Sequence, residues 1–211
     1  MHFLIKRPAA SQATAIRMTE TLSAAALAAG LSWASGIRLY MALFVAGWFS
    51  RMGWIELPSA LQVLQSPWVL TVTGILLVIE FLADKIPGVD SLWDAVHTFI
   101  RIPAGAILGA AALGQMDPAW TTMAAILGGS VAAGTHLTKS GSRALINTSP
   151  EPFSNWAASF SEEIVVVAGL WAAFFHPWIL FTMLALFFIT AAWLMPKLWR
   201  GLRWLLRRFQ T

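Results

Sequence analysis

Between Ile164 and Met195 the chain holds no formally charged side chain if His176 is neutral, a run of 32 residues. As one helix this run would be roughly 48 Å long at about 1.5 Å per residue, too long for a single crossing of a hydrocarbon core about 30 Å thick. His176-Pro177 falls inside it, and the residue before a proline resists the helical conformation. The run therefore reads as two membrane-spanning helices, 154–175 and 178–196, joined by a tight turn. Composition agrees: 58% of the residues are hydrophobic and only 11% charged, with a mean hydropathy of +0.68. Soluble domains carry roughly a quarter charged residues, so a water-soluble fold is excluded.

Upstream, Trp68 to Ala83 is apolar except for Glu80, and 91–115 passes from a polar first half to a small, apolar second half. Gly114 to Pro118 reads as a turn, with Pro118 at the first position of a helix. Two longer segments, 19–52 and 118–147, each contain a Ser-Gly pair that predicts an interruption. The expectation is an all-α membrane protein of six segments: 19–52, 66–83, 91–115, 118–147, 154–175 and 178–196. Small residues four apart, Gly105 with Gly109 and Ala26 with Gly30 and Ala34, predict faces where helix backbones approach closely, since burial alone gives little drive in lipid.

The net charge of +4 belongs to the chain ends. Lys6, Arg7 and Arg17 precede the first segment, Lys197, Arg200, Arg203, Arg207 and Arg208 follow the last, and Glu20 is the one acid among them. This distribution points away from nucleic acid. It predicts both termini on the cytoplasmic side of a bacterial inner membrane, in agreement with an even number of crossings. After Pro196, arginines and apolar residues separate onto two helical faces, predicting an amphipathic helix at the interface in contact with anionic lipids. The first eighteen residues lack the uninterrupted apolar core of a cleavable signal peptide. With no cysteine, disulfides, thiolate metal sites and thiol nucleophiles are excluded.

Ala28 to Arg38 reads AAGLSWASGIR, and Ala132 to Arg143 reads AAGTHLTKSGSR, about half a chain apart. Three segments per half predict two inverted repeats, with a site at their interface. The organisation expected is a basic segment 1–18, a first repeat 19–116, a second repeat 117–196 and a basic amphipathic helix 197–211.

Charges inside spanning helices are costly and mark function. Arg38 is the one charged residue between Glu20 and Arg51 in the first segment, and Ser35 shares its face. His136, Lys139, Arg143 and Asn147 recur every three or four residues, a stripe along one helical face. Glu80 with Asp84, and Asp90, Asp94, His97 and Arg101, form two further stripes, and Glu151, Asn155, Glu162 and Glu163 follow. Two readings are open: arginines buried against these acids to hold the helices together, or a polar pathway through the bundle. The acidic cluster could also hold a hard divalent cation. No Asp-x-Asp-x-Asp-Gly loop, His-Glu-x-x-His helix, Gly-x-Ser-x-Gly elbow or phosphate-cradling loop is present, which points away from an enzyme and indicates no cofactor. His176, beside a proline, reads as a loop histidine.

The stretches GLSWASGIRLY, DKIPGVDSLWDAVHTFIRIPAGA and THLTKSGSRALINTSPEPFSNWAASFSEE resemble the bacterial membrane family catalogued as domain of unknown function 4126. The likeness covers about residues 20–195, is most specific at SPEPFSN, and departs from the expected pattern at Ile102. It implies a multi-pass membrane protein and points to no activity. From Arg38, Lys139 and Arg143, the expected role is a transporter or channel for a small anionic or lipid-linked solute. The alternatives are a non-transporting scaffold of internally paired charges and, behind it, a metal-dependent intramembrane enzyme. The oligomeric state stays open, a homo-oligomer included.

Overall fold

The computed structural model describes residues 9–114, 116–147 and 153–208, which are almost wholly helical and contain no strand. The helices are α1 (Ala9–Arg51), α2 (Pro67–Ala83), α3 (Pro87–Ala112), α4 (Pro118–Ile146), α5 (Phe153–Phe175) and α6 (Pro177–Arg208), with a short 3-10 helix, Ser59–Gln65, before α2. Prolines open α2, α3, α4 and α6, where the first-turn N–H has no intrahelical partner to lose. At α4 the Asp117 carboxylate accepts the Ala119 N–H at 2.8 Å, completing the cap. α6 runs through Pro196 to Arg208, so the basic tail continues the last helix and does not begin a separate one.

Four helices, α1, α3, α5 and α6, are long and apolar enough to cross a membrane. A fifth span results if the 3-10 helix and α2, bent by 69° at their junction, are taken as one broken span. α4 is not among these helices, and its polar stripe is turned inward: His136, Lys139 and Arg143 are all buried.

The decisive departure from a simple bundle is at Arg38, whose backbone is non-helical (φ −143°, ψ 83°). Consecutive residues of α5 touch both arms of α1. Ala173 packs on Gly30, and the Phe174 ring lies 6.0 Å from that of Phe49. On a straight helix Gly30 and Phe49 would stand roughly 28 Å apart. α1 therefore doubles back into a helical hairpin with Arg38 at its tip, and Ser23 and Leu57 line one cavity at its open base. The second arm, 39–51, is roughly 20 Å long, too short to cross a bilayer by itself. The hairpin sits at the centre of the fold, touching every other helix, with Ala26, Leu31, Ala34, Ala42 and Ala46 buried.

Small residues set the spacing around it. A Cβ on Gly128 would meet the Gly105 carbonyl at 2.6 Å, and one on Gly109 would meet that of Ala124 at 2.7 Å. The Ser32 hydroxyl donates to the Gly105 carbonyl at 2.9 Å, binding α1 to α3. A Cβ on Gly36 would collide with the Thr135 hydroxyl on α4. The expected close-packing face at Gly105 and Gly109 is thus present, and Gly30 likewise lies against Ala173.

The hairpin overturns two topological expectations. Ser32 lies beside Gly128 and Gly36 beside Ala132 and Thr135, so the first arm of α1 and α4 run parallel. An in-plane twofold axis relating Ser35–Arg38 to Ser140–Arg143 would make them antiparallel. Only α1 is interrupted, since α4 continues through Gly141. At the chain ends, Leu180 near the start of α6 packs on Gly30, whereas Gly201 lies beside Leu145 at the far end of α4. α1 therefore begins and α6 finishes at opposite ends of the bundle, not on one side. The cause of both corrections is the extra reversal of direction at Arg38.

The absence of native cysteine makes this directly measurable by single-cysteine labelling with a membrane-impermeant maleimide. Glu20→Cys and Glu56→Cys should react from the same face, and Gly88→Cys from the opposite one. Labelling of positions 20 and 56 from opposite faces would overturn the hairpin. Separately, Gly36→Leu should lower the melting temperature in detergent by many degrees or prevent folding, because the atoms it meets, on Ala132 and Thr135, belong to the tightly packed α4.

Candidate buried charge site

The tip of the hairpin carries a guanidinium into the middle of the bundle. Arg38 is fully buried, and its Nη2 lies 2.8 Å from Asp84 Oδ2 at the end of α2. The same nitrogen is 3.5 Å from Glu162 and 3.5 Å from Glu163 on α5, and donates to the Ser159 hydroxyl at 2.8 Å. The open backbone at residue 38 is what points this side chain across the gap between α2 and α5.

α4 supplies the next two cations. Arg143 forms a two-pronged pair with Glu162, Nε to Oε1 at 2.8 Å and Nη2 to Oε2 at 3.1 Å, and donates to the Asn155 and Asp84 carbonyls. Lys139 lies one turn away, within 3.4 Å of Asp84, 3.5 Å of Glu162 and 3.6 Å of Asp94, and donates to the Ile37 carbonyl at the hairpin tip. Such planar two-pronged pairing is a property of arginine that lysine cannot copy.

On α3, Arg101 pairs with Glu80 of α2 and, at 2.8 Å, with Asp94. Its Nη1 also reaches His136 Nδ1 at 3.2 Å. Thr98 donates its hydroxyl proton to the Asp94 carbonyl, so His136 Nε2 must donate to Thr98 at 2.7 Å. That leaves Nδ1 to accept from Arg101, making His136 a neutral imidazole with its proton on Nε2. His97 holds the opposite tautomer. Its Nδ1 donates to the Trp93 carbonyl at 2.8 Å, and Nε2 accepts from the Tyr40 hydroxyl at 3.0 Å.

Among the described residues the network joins four cations, Arg38, Arg101, Lys139 and Arg143, to five carboxylates, Glu80, Asp84, Asp94, Glu162 and Glu163. Several atoms within it have no partner among the described residues: Arg38 Nε and Nη1, Asp84 Oδ1, Glu80 Oε2, Asp94 Oδ2, Arg101 Nε and Asn155 Nδ2. Glu162 sits nine residues from the start of α5 and thirteen from its end, roughly 14 and 20 Å along the axis. Asp90 and Asn147 form a separate hydrogen-bonded pair at 2.8 Å where α3 begins and α4 ends. Lys85, between α2 and α3 and outside the candidate spans, lies over the Phe81 ring at 2.9 Å. Burial lowers its ammonium pKa, against an opposing pull from Glu163.

Of the residues singled out from sequence, Arg38, Glu80, Asp84, Asp94, Arg101, His136, Lys139, Arg143, Asn155, Glu162 and Glu163 converge. Ser35 stands apart, donating to the Ser32 carbonyl beside the α1–α3 contact. His97 is joined to Tyr40 and stacks on Trp93, and Glu151 lies outside the described residues. Ser159 and Thr98 were missed. Each lies three residues before a charged member, Glu162 and Arg101, a periodicity that would have found them. No group of three or more His, Asp or Glu side chains among the described residues is placed to hold a metal ion.

An apolar helical bundle enclosing a network of ionised side chains defines a membrane-embedded protein whose interior, not its surface, is polar. Residues 25–197 match the model of the family described as Domain of unknown function (DUF4126), and the chain belongs to that family. No curated protein and no solved structure matches it.

Arg101, Glu80 and Asp94 offer the cleanest energetic test, being at most a few per cent exposed. Removing one partner of a buried pair costs about 3–5 kcal/mol because the other charge is left stranded. Arg101→Met should lose that much stability in chemical denaturation in micelles. The double variant with Glu80→Met should recover part of the loss. Additive losses would mean that the pair is not coupled.

Proposed function

We propose that this protein is a solute pathway of the bacterial inner membrane, closed in this conformation, with the Arg38 hairpin tip as its gate. The observation that carries the reading is the charge network at the tip of a folded-back helix, inside helices apolar enough to cross a membrane. Broken helices that end within the membrane are the usual carriers of transport sites, since their free backbone groups and side chains face a cavity. In this reading all six helices lie within the membrane, α4 included, its polar stripe shielded by its neighbours. Each buried polar atom without a partner costs about 1–3 kcal/mol. Water or solute entering the network would remove those costs at Arg38, Asp84 and Asn155. A cavity of about 270 Å³ adjoins the network between α4, α5 and α6, reaching Lys139, Arg143 and Glu162.

A scaffold of paired charges is favoured by one specific feature: all four buried cations already face carboxylates. Flux separates the two. Proteoliposomes screened with anions, monovalent cations and amines should pass at least one solute faster than empty liposomes. Arg38→Gln should change that rate about tenfold or more while the helical circular-dichroism signal is kept. Permeability equal to that of empty liposomes for every solute supports the scaffold.

A further inference from the structure

We infer that Asp90 is a proton-binding site beside the charge network, which names the proton as the ion coupled to the pathway proposed above and rests on that reading. Asp90 is fully buried in the first turn of α3, where α4 finishes, and none of the ion pairs among the described residues includes it. Its Oδ2 accepts from the Asn147 amide at 2.8 Å, and its Oδ1 has no partner among the described residues. The other acids buried as deeply, Glu80, Asp84 and Asp94, each touch an arginine. A buried carboxylate without a countercharge either bears an uncompensated charge or keeps its proton, and desolvation favours the second.

The surroundings do not supply the missing charge. Arg143 of α4 acts on Asp90 through space, opposed by Asp84 at the end of α2 and Asp94 one turn on along α3. Arg143 is itself held in the two-pronged pair with Glu162, and Arg38 of α1 is turned to Asp84 and α5. With Asp90 added to the five carboxylates of the network, six acids face four buried cations. Lys85 bears on Glu163 from the rim, which still leaves one acid over, and Asp90 is the acid without an ion pair. Helix geometry also provides the exchange that releases the proton. Arg143 and Asn147 are four residues apart, roughly 6 Å along α4 and on one face. A guanidinium freed from Glu162 can turn along that face to Asp90, whose proton then passes to water. Glu162 keeps Arg38 and Lys139, each at 3.5 Å. One ion pair replaces another and one proton leaves, so protonated Asp90 goes with the closed network and ionised Asp90 with the open one. Buried acids in spanning helices commonly serve proton pathways in this way.

Infrared spectroscopy of the full chain in nanodiscs tests the site without any solute. At neutral pH the protein should show the carbonyl band of a protonated carboxylic acid, and carbon-13 labelling of the aspartate carboxyls should shift it. Asp90→Asn should abolish the band while the helical circular-dichroism signal is kept. Asn147→Ala removes the amide that bonds Asp90 and should move the band, a second readout if Asp90→Asn does not fold. No such band at neutral pH, a band that responds to glutamate labelling instead, or one unchanged in both variants overturns the inference. In proteoliposomes, solute flux should be accompanied by proton movement reported by a trapped pH-sensitive dye, and Asp90→Asn should cut that movement about tenfold or more. Solute flux with no proton movement keeps the pathway and overturns the coupling. The aspartate band in a protein that passes no solute keeps the proton site and removes the pathway.

Discussion

A positive charge at the end of an apolar hairpin is the constraint around which the other helices are arranged. Arg38 cannot lose its proton and is fully buried, so its charge must be met by fixed anions. Asp84 at the end of α2 and Glu162 and Glu163 on α5 meet it. Those carboxylates exceed what one guanidinium can neutralise, which brings Lys139 and Arg143 of α4 into the same cluster. Lys139 then reaches Asp94, and Asp94 reaches Arg101 and through it Glu80. Five helices are tied together by one chain of mutual charge compensation.

Two kinds of force share the work of assembly. In lipid the burial of apolar surface offers helices little reason to associate, so close backbone approach carries the packing. Gly36, Gly105, Gly109 and Gly128 allow that approach and bring α1, α3 and α4 near enough for their polar faces to meet. Small-residue faces would tolerate sliding along their length. The ion pairs would not, since a shift of one turn would strand several charges at once. Packing thus sets the distances and the network sets the register.

The same network bears on function. A set of buried charges that only held helices together would be best served by full mutual satisfaction. Here several polar atoms around Arg38 and Arg101 have no partner among the described residues, and a cavity abuts the cluster from the α4–α5 side. In the reading proposed above, the unmet hydrogen-bonding capacity beside these ion pairs belongs to an element that opens to admit water or solute and closes again.

The amino-acid order by itself determined the membrane character and the polar residues of α2, α3 and α4 that are turned inward. It placed α2, α3, α4 and α5 to within four residues, while α1 begins ten residues earlier and α6 ends twelve residues later than expected. Those properties are local: hydropathy over about twenty residues, prolines at helix starts, and a spacing of three or four between polar side chains. Even His176-Pro177 as the break between α5 and α6 was legible. Tertiary structure decided the rest. The Ser-Gly pairs near Arg38 and Arg143 look alike in sequence, yet α1 doubles back and α4 runs straight on. At the first, the guanidinium finds Asp84, Glu162 and Ser159 across the gap that the turn opens. At the second, the side chain reaches Glu162 from an unbroken helix. Whether a helix breaks there depends on where the countercharges lie in space, which no local pattern records, and that one reversal sets the direction of every helix after it.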